Sequence, residues 1–230
     1  MVPKLLTEDQ TEGRVQVSHE LSIRFEEEDL ASRIITGDET WCYQYDPETK
    51  RQSMQWTSPS SPRPQKARMS RSQIKTMLIC FFDIKGMVHH EFLEQGDTMN
   101  QYRYLDILKR LRESVRRKRP HLWPDGWLLH HDNAPPHVAL SVRQFLASKS
   151  VATVEHPPYS PDLVPSDFWL FPKLKTGLKG HRFQDASDIQ SHAKTFLRSL
   201  KREEFQSCFD QWKHRMEKCV SAEGEYFEGI

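Results

Sequence analysis

The amino-acid sequence predicts a mixed α/β domain, a sheet with helices packed on its faces. Three observations carry that expectation. The run Met77–Phe82 is almost continuously apolar, as a strand buried on both faces must be. After Asn100, apolar residues recur at three- and four-residue intervals, the mark of an amphipathic helix. Strand-like and helix-like stretches follow one another as three strands, helix, strand, helix, strand, helices, an order that packs as a sheet covered by helices. At 230 residues the chain buries roughly 70% of its unfolded surface, enough for a core without disulfides or a structural metal.

Composition narrows the class further. With 37% hydrophobic residues, disorder throughout is excluded. No stretch approaches about 18 uninterrupted apolar residues, and the start MVPKLLTEDQTEGR has no basic flank followed by an apolar core. Neither a membrane span nor a secretory signal is expected, and an intracellular location is. Cys42, Cys80, Cys208 and Cys219 are widely spaced without a C-x-x-C, so reduced, partly buried thiols are expected rather than a disulfide framework or a zinc ribbon.

Taken in order, residues 1–32 are polar and acidic and read as a linker with one helix, and residues 33–230 read as the domain. From Arg33 the stretch RIITGDETWCYQYD is rich in Ile, Thr, Trp and Tyr and predicts a strand through Asp38. Gln52–Trp56 resembles a short second strand. TSPSSPRPQKARMSRSQ, with three prolines, cannot pack as a regular element and predicts a long exposed loop over 57–73, a length that is uncommon unless functional. KTMLICFFDIKGMVHHEFLE holds two apolar runs around Asp83–Gly86, a hairpin signal. Tyr104, Leu105, Leu108, Leu111 and Val115 define a helix that Pro120 ends. Gly126–Asp132 reads as a buried strand with a polar tip, Pro135–Ser148 as a helix with Val138, Val142, Phe145 and Leu146 inward, and Val151–Val154 as one more strand. The remainder is helical.

Net charge is +1, yet the charge is unevenly spread. Residues 1–50 hold 5 Lys/Arg against 12 Asp/Glu, whereas residues 51–75 hold 6 Lys/Arg and no acid. A second basic block, Arg103–Arg119, lies on the predicted helix and ends in Arg116-Arg117-Lys118-Arg119, which resembles a nuclear import signal. Such asymmetry suits a polyanion-binding surface, and it equally suits a solvated helix face.

Acids at strand ends are the candidates for chemistry, because α/β sheets assemble their sites outside strand termini. Asp38 lies in the first strand, Asp132 at the tip of GWLLHHD and Asp167 where a helix begins. The 34 residues between Asp132 and Asp167 let the chain return through a helix, a strand and a loop. Three such acids would suit Mg²⁺, which binds through few carboxylates, waters and substrate phosphate and serves phosphodiester cleavage. Each also has a plainer reading: Asp38 as a strand-end acid, Asp132 as a turn former, Asp167 as a first-turn acid favoured by the helix dipole. Spacing leaves these open.

The motifs around them are more specific. HHDNAPPH (His130–His137), HPPYSPDLVPSDFWLFPKLK (His156–Lys175) and TGDETW (Thr36–Trp41) together resemble the catalytic domain of mariner-type transposases of the Tc1/mariner superfamily, over nearly the whole chain. The resemblance implies an RNase H-like fold of the retroviral integrase and transposase type, with 33–230 as the catalytic domain and 1–32 as a remnant of the interdomain linker. It implies that Asp38, Asp132 and Asp167 are catalytic metal ligands for Mg²⁺, with Mn²⁺ as a substitute, and it assigns the ligand role to Asp167 rather than to Asp162, which reads as a turn acid. The spacing of 34 matches the family's. The implied reaction is DNA strand cleavage followed by strand transfer on transposon ends and target, in the nucleus, by a homodimer, with no membrane and no small-molecule substrate. The loop over 57–73 resembles the family's clamp loop, which makes Arg63, Lys66, Arg68 and Arg71 candidate phosphate contacts. His130, His131 and His137 are expected as scaffold or DNA contacts rather than a zinc site, with His137 the candidate DNA contact. Trp41, Trp56, Trp127 and Trp169 are expected as core or interface aromatics.

The sequence also departs from the family. No pair of helix-turn-helix modules precedes Asp38, and the family's Trp-Val-Pro-His is met here by Met1-Val2-Pro3-Lys4, so sequence-specific end recognition is expected to be absent. A related domain occurs fused to a SET histone methyltransferase, but nothing in this sequence resembles a SET domain. Two alternatives stay beside the transposase reading: a DNA-binding or dimerising module with vestigial catalysis, and an RNase H-like nuclease acting on RNA or hybrids.

Overall fold

The computed structural model describes residues 5–27, 30–49, 52–54, 56, 58, 70–94 and 96–227. Helix α1 (Glu8–Glu27) leads into β1 (Ile34–Tyr43), the hairpin β2 (Lys75–Asp83) and β3 (Gly86–Phe92), α2 (Gln101–Lys118), the short α3 (Leu122–Asp125), β4 (Leu128–His130), α4 (Leu140–Ser148) and β5 (Ala152–Val154). A π-helical turn, Ser166–Leu170, runs into α5 (Phe171–Leu178), followed by α6 (Ala186–Ser199) and α7 (Arg202–Ser221). The sheet order is β3-β2-β1-β4-β5. β1 pairs antiparallel with β2 and parallel with β4, and β4 pairs parallel with β5.

The apolar run in β2 is explained by two cores, one on each face of the sheet. Leu78, Cys80 and Phe82 point into one, with Ile34 and Leu128 and the residues Leu174, Ile189, Phe205 and Trp212 of α5, α6 and α7. Ile79 and Phe81 point into the other, with Ile35, Leu129 and the residues Tyr104, Ile107, Leu111 and Val142 of α2 and α4. Alternation along a strand sends neighbours to opposite faces, so a strand buried on both must be apolar throughout.

Gly37 sits in β1 over the buried Phe81 ring, which occupies the space a methyl group would need. Gly37→Ala is therefore expected to destabilise the domain by about 1–3 kcal/mol, the usual range for overpacking a filled core. A urea denaturation midpoint equal to that of the parent would contradict this.

The hairpin and the end of α2 lock each other. Asp83 Oδ1 accepts from Lys85 N at 2.9 Å, closing the turn before Gly86, which takes φ 130°. Arg119 forks onto the same carboxylate, with Nε 2.6 Å from Oδ2 and Nη2 2.9 Å from Oδ1. At the other end of α2, Asn100 Oδ1 caps the helix by accepting from Tyr102 N and Arg103 N. Lys118 Nζ donates to Val88 O at 2.7 Å. Two of the four residues in the import-signal-like run are thus committed to the fold rather than held out as an extended peptide.

Several expectations are revised. Gln52 and Ser53 form a turn and neither Met54 nor Trp56 is in a strand, so among the described residues the second strand is Lys75–Asp83; Trp56 is fully exposed rather than in the core. The strand before Asp132 is only Leu128–His130. The helix after it starts at Leu140 rather than Pro135, because Ala134–Val138 closes a turn in which Ala134 O accepts from His137 N at 2.8 Å. That leaves Val138 exposed while Val142 and Leu146 are buried. The helix expected in residues 1–32 is α1, and it is docked on α7 with Val17 and Leu21 in the core. All four cysteines are free and buried. Among the described residues no helix is long and apolar enough to cross a membrane.

Candidate active site

Parallel pairing of β1 with β4 sets Thr36 opposite His130. Two residues further along each chain stand Asp38, still in β1, and Asp132, just past the end of β4. The sheet therefore delivers two carboxylates side by side from segments 94 residues apart in sequence. Asp167 arrives on the π-helical turn, a rare element that concentrates at functional sites, with its backbone N–H held by Val164 O at 2.9 Å.

The three acids feel one another. Burial, and then the charges of Asp167, Glu39 and Asp132, push the Asp38 carboxyl well above its usual range. Burial likewise raises Asp167 to about 6, against the pull of Lys175 and with the charge of Asp132 adding to the rise. Asp132 goes the other way: burial would raise it, but the hydrogen bond and charge of His137, with the Ala134 N–H, hold it below the usual range. Oxygen donors crowded so that they oppose each other's ionisation are a donor set suited to a hard dication, which relieves that repulsion. Among the described residues no three His, Cys, Asp or Glu side chains are gathered tightly enough to enclose an ion by themselves. Mg²⁺ does not need such a cage, since it keeps waters and takes substrate oxygens.

A histidine scaffold surrounds the acids. His137 is 2% exposed, with Nδ1 2.6 Å from Asp132 Oδ1 and Nε2 2.9 Å from Glu39 Oε1. Burial would lower its pKa, yet the hydrogen bonds to Asp132 and Glu39 outweigh that and raise it to about 10, so both nitrogens donate. His130 bonds Thr36 Oγ1 at 2.9 Å and His156 Nδ1 at 3.3 Å, and Asn133 Nδ2 donates to His156 O at 2.6 Å. Burial lowers His131 to about 3 and His156 to about 4. The neutral His131 ring accepts from the Tyr104 hydroxyl at 2.7 Å.

The residues singled out from sequence divide as follows. Asp38 and Asp132 are brought together, and Asp167 lies within range of their charge. His130 and His131 are scaffold. His137 is scaffold as well, and the DNA contact considered for it is corrected: the ring is buried and both nitrogens are occupied by carboxylates. Arg63, Lys66 and Arg68 lie outside the described residues. Arg71 pairs with Asp46 at 3.0 Å and lies 4.5 Å over the Tyr43 ring, at the rim of a cleft of about 600 Å³ shared with Tyr45, Gln73 and Arg182. In the second basic block, Arg103, Lys109, Arg110 and Arg116 each pair with an acid, respectively Asp97, Asp106, Glu91 and Glu113. That block is closer to a solvated helix face than its composition suggests. Asp162, the rival acid, is a structural partner of Arg14 and takes no part in the site.

Glu39 and Tyr104 were not picked out from the sequence. Glu39 stands between Asp38 and Thr40 in β1, and what marks it is its contact with His137, 98 residues away, which no local pattern signals.

A five-stranded sheet of this order, flanked by helices, defines an RNase H-like fold, here with Asp38 inside β1 and Asp132 just past β4. Comparison with known proteins agrees. The family model described as "Transposase (partial DDE domain)" matches residues 46–124. Mariner Mos1 transposase of Drosophila mauritiana is 33% identical over 229 residues, 99% of this chain and 66% of that protein. Histone-lysine N-methyltransferase SETMAR of Homo sapiens is 32% identical over 228 residues, 99% of this chain and 33% of that protein. The crystal structure of the Mos1 catalytic domain superposes with TM-score 0.83 at 30% identity, covering 99% of this chain and all of that one. The Mos1 paired end complex with Mn gives 0.91 at 33% identity, covering 99% and 66%. The chain belongs to the mariner transposase family and corresponds to its catalytic domain; it spans just under two thirds of the length of Mos1 transposase.

Proposed function

We propose that this chain is a metal-dependent DNA transposase catalytic domain that cleaves phosphodiester bonds and transfers strands through Asp38, Asp132 and Asp167. The observation that carries this reading is the pairing of Thr36 with His130, from which Asp38 and Asp132 emerge as neighbours at the sheet's centre. The likeness to Mos1, whose paired end complexes were solved with Mn and with Mg, supports the choice of metal and of double-stranded DNA as substrate. A homodimer acting in the nucleus is part of the same proposal.

In this reading Asp38, Asp132 and Asp167 hold the metal. Bound there, Mg²⁺, or Mn²⁺ in its place, supplies Lewis acidity toward the attacking water or 3′ hydroxyl and toward the leaving oxygen. The chain's own work is to orient the acids. Glu39 N donates to Asp38 Oδ1 at 2.7 Å, and Ala134 N and His137 Nδ1 both donate to Asp132 Oδ1. The buried rings of Tyr104, His131 and His137 pack against one another behind Asp132 and hold the His137 ring in place.

Purified chain incubated with supercoiled plasmid is expected to nick it in Mg²⁺ or Mn²⁺ and to stop when EDTA is added. DNA binding by Lys and Arg is expected to weaken steeply between about 50 and 200 mM salt. Binding without cleavage in either metal would overturn the catalytic reading in favour of a DNA-binding module. Cleavage of an RNA–DNA hybrid in preference to duplex DNA would point to a different RNase H-like nuclease.

A further inference from the structure

We infer that Glu39 and His137 form a positioning clamp on Asp132: the imidazole, braced by Glu39, fixes one carboxylate oxygen so that the other is presented to the metal. This deepens the three-aspartate reading and rests on it.

Asp132 needs such a device. It stands beyond the last paired residue of β4, and its side chain is 40% exposed rather than held by core packing. Two donors converge on it, and both fall on Oδ1: Ala134 N at 3.0 Å and His137 Nδ1 at 2.6 Å. Oδ2 is thereby the atom that turns outward. The clamp is itself immobilised. The far nitrogen of His137 meets Glu39 Oε1 at 2.9 Å, its ring lies 4.0 Å from the fully buried Tyr104 ring, and it stacks on His131 at 5.4 Å with the planes only 6° apart.

Its parts come from the two segments that make the site. β1 supplies Asp38 as a candidate ligand and the next residue, Glu39, as the brace, which alternation along the strand sends to the opposite face. The segment after β4 supplies Asp132 and, five residues on, His137. Pro135 and Pro136 between them bend the chain, and the His137 N–H closes the turn onto Ala134 O at 2.8 Å, which returns the ring to the carboxylate. A histidine present only for packing would not need a carboxylate at each nitrogen. A carboxylate–imidazole–carboxylate chain that ends on a candidate ligand is the kind of support that orients metal ligands, and removing such support typically costs about 10–100-fold in metal affinity.

The test is Mn²⁺ binding by the whole chain, followed by electron paramagnetic resonance, with circular dichroism and urea melts to report folding. His137→Ala is expected to weaken Mn²⁺ binding by about 10–100-fold. His137→Asn, whose amide nitrogen takes the place of Nδ1, should restore most of the loss. Glu39→Gln, of equal size, should weaken binding by about ten-fold. In plasmid nicking, the Mn²⁺ concentration for half-maximal rate should rise by the same factor while the rate at saturating Mn²⁺ recovers. A folded His137→Ala that binds Mn²⁺ like the parent overturns the clamp and leaves the three-aspartate reading standing. If His137→Ala does not fold, unchanged affinity in Glu39→Gln overturns the clamp. Parent chain that binds no Mn²⁺, or binds it equally well as Asp132→Asn, overturns the three-aspartate reading and the clamp with it.

Discussion

Asp132→Asn is expected to abolish metal-dependent nicking of supercoiled plasmid, with a loss beyond the roughly 100-fold that removal of a supporting residue can cost, because in the proposed three-aspartate site a ligand itself is lost. The substitution keeps the size of the side chain and exchanges an anionic oxygen for an amide, so a metal held there would lose both charge and a donor. The fold should survive. The side chain is 40% exposed, and the Ala134 N–H and His137 can still meet the amide oxygen, with Glu39 left to neutralise the imidazolium. A variant that nicks as fast as the parent at equal Mg²⁺ would remove Asp132 from the site. A variant that fails to fold would show in the urea melt and would assign the residue a structural role instead.

The largest effect on stability is expected at Arg14, far from any chemistry. This guanidinium is completely buried between α1, the turn at Ser160–Asp162 and the turn at Gly224 that follows α7. Its Nη1 and Nη2 fork onto Asp162 at 2.9 and 2.6 Å, Nη1 also donates to Ser160 Oγ at 2.7 Å, and Nε donates to Gly224 O at 2.6 Å. Arg14→Ala strands a buried carboxylate and is expected to cost about 3–5 kcal/mol, the usual price of breaking a buried pair from one side. Replacing both partners, as in Arg14→Met with Asp162→Leu, should recover much of that, since the surviving charge is gone. Urea denaturation of the two variants decides the matter. A single variant within about 1 kcal/mol of the parent would mean that water reaches Asp162 when the arginine is removed.

These two residues illustrate what could be read from sequence. The two-faced apolar run of β2, the hairpin at Asp83–Gly86, the helix between Asn100 and Pro120 and the free cysteines were all legible, because each depends on local chemistry: periodicity, turn residues, a cap and a proline stop. The candidate acids were legible through the motifs around them, and Asp132 carried its own turn chemistry. Less local features were not. Gln52–Trp56 has strand-like composition, yet among its described residues Gln52 and Ser53 form a turn and Met54 and Trp56 are in no strand, because composition cannot supply a partner strand. The charge of the second basic block left a polyanion surface and a solvated helix face both open, and only the fold shows Asp97, Glu91, Asp83 and Glu113 beside its arginines. Asp162 and Asp167 lie five residues apart; the motif resemblance and local turn chemistry set them apart, but that Asp162 pairs with Arg14, 148 residues away, is visible only in the fold.

What the sequence determined by itself is most of the elements and their order, Gln52–Trp56 excepted, since hydrophobic period and turn chemistry act over a few residues, together with the family to which its motifs point. What only the tertiary structure decided is which side chains meet. The parallel register of β1 with β4 puts Asp38 beside Asp132, the docking of α1 on α7 gives Asp162 to Arg14, and the turn after Asp132 folds His137 back between two carboxylates. Contacts of this kind join residues 5 to 148 positions apart, and their energies come from burial and charge at a separation of a few ångströms, which the order of residues along a chain does not encode locally.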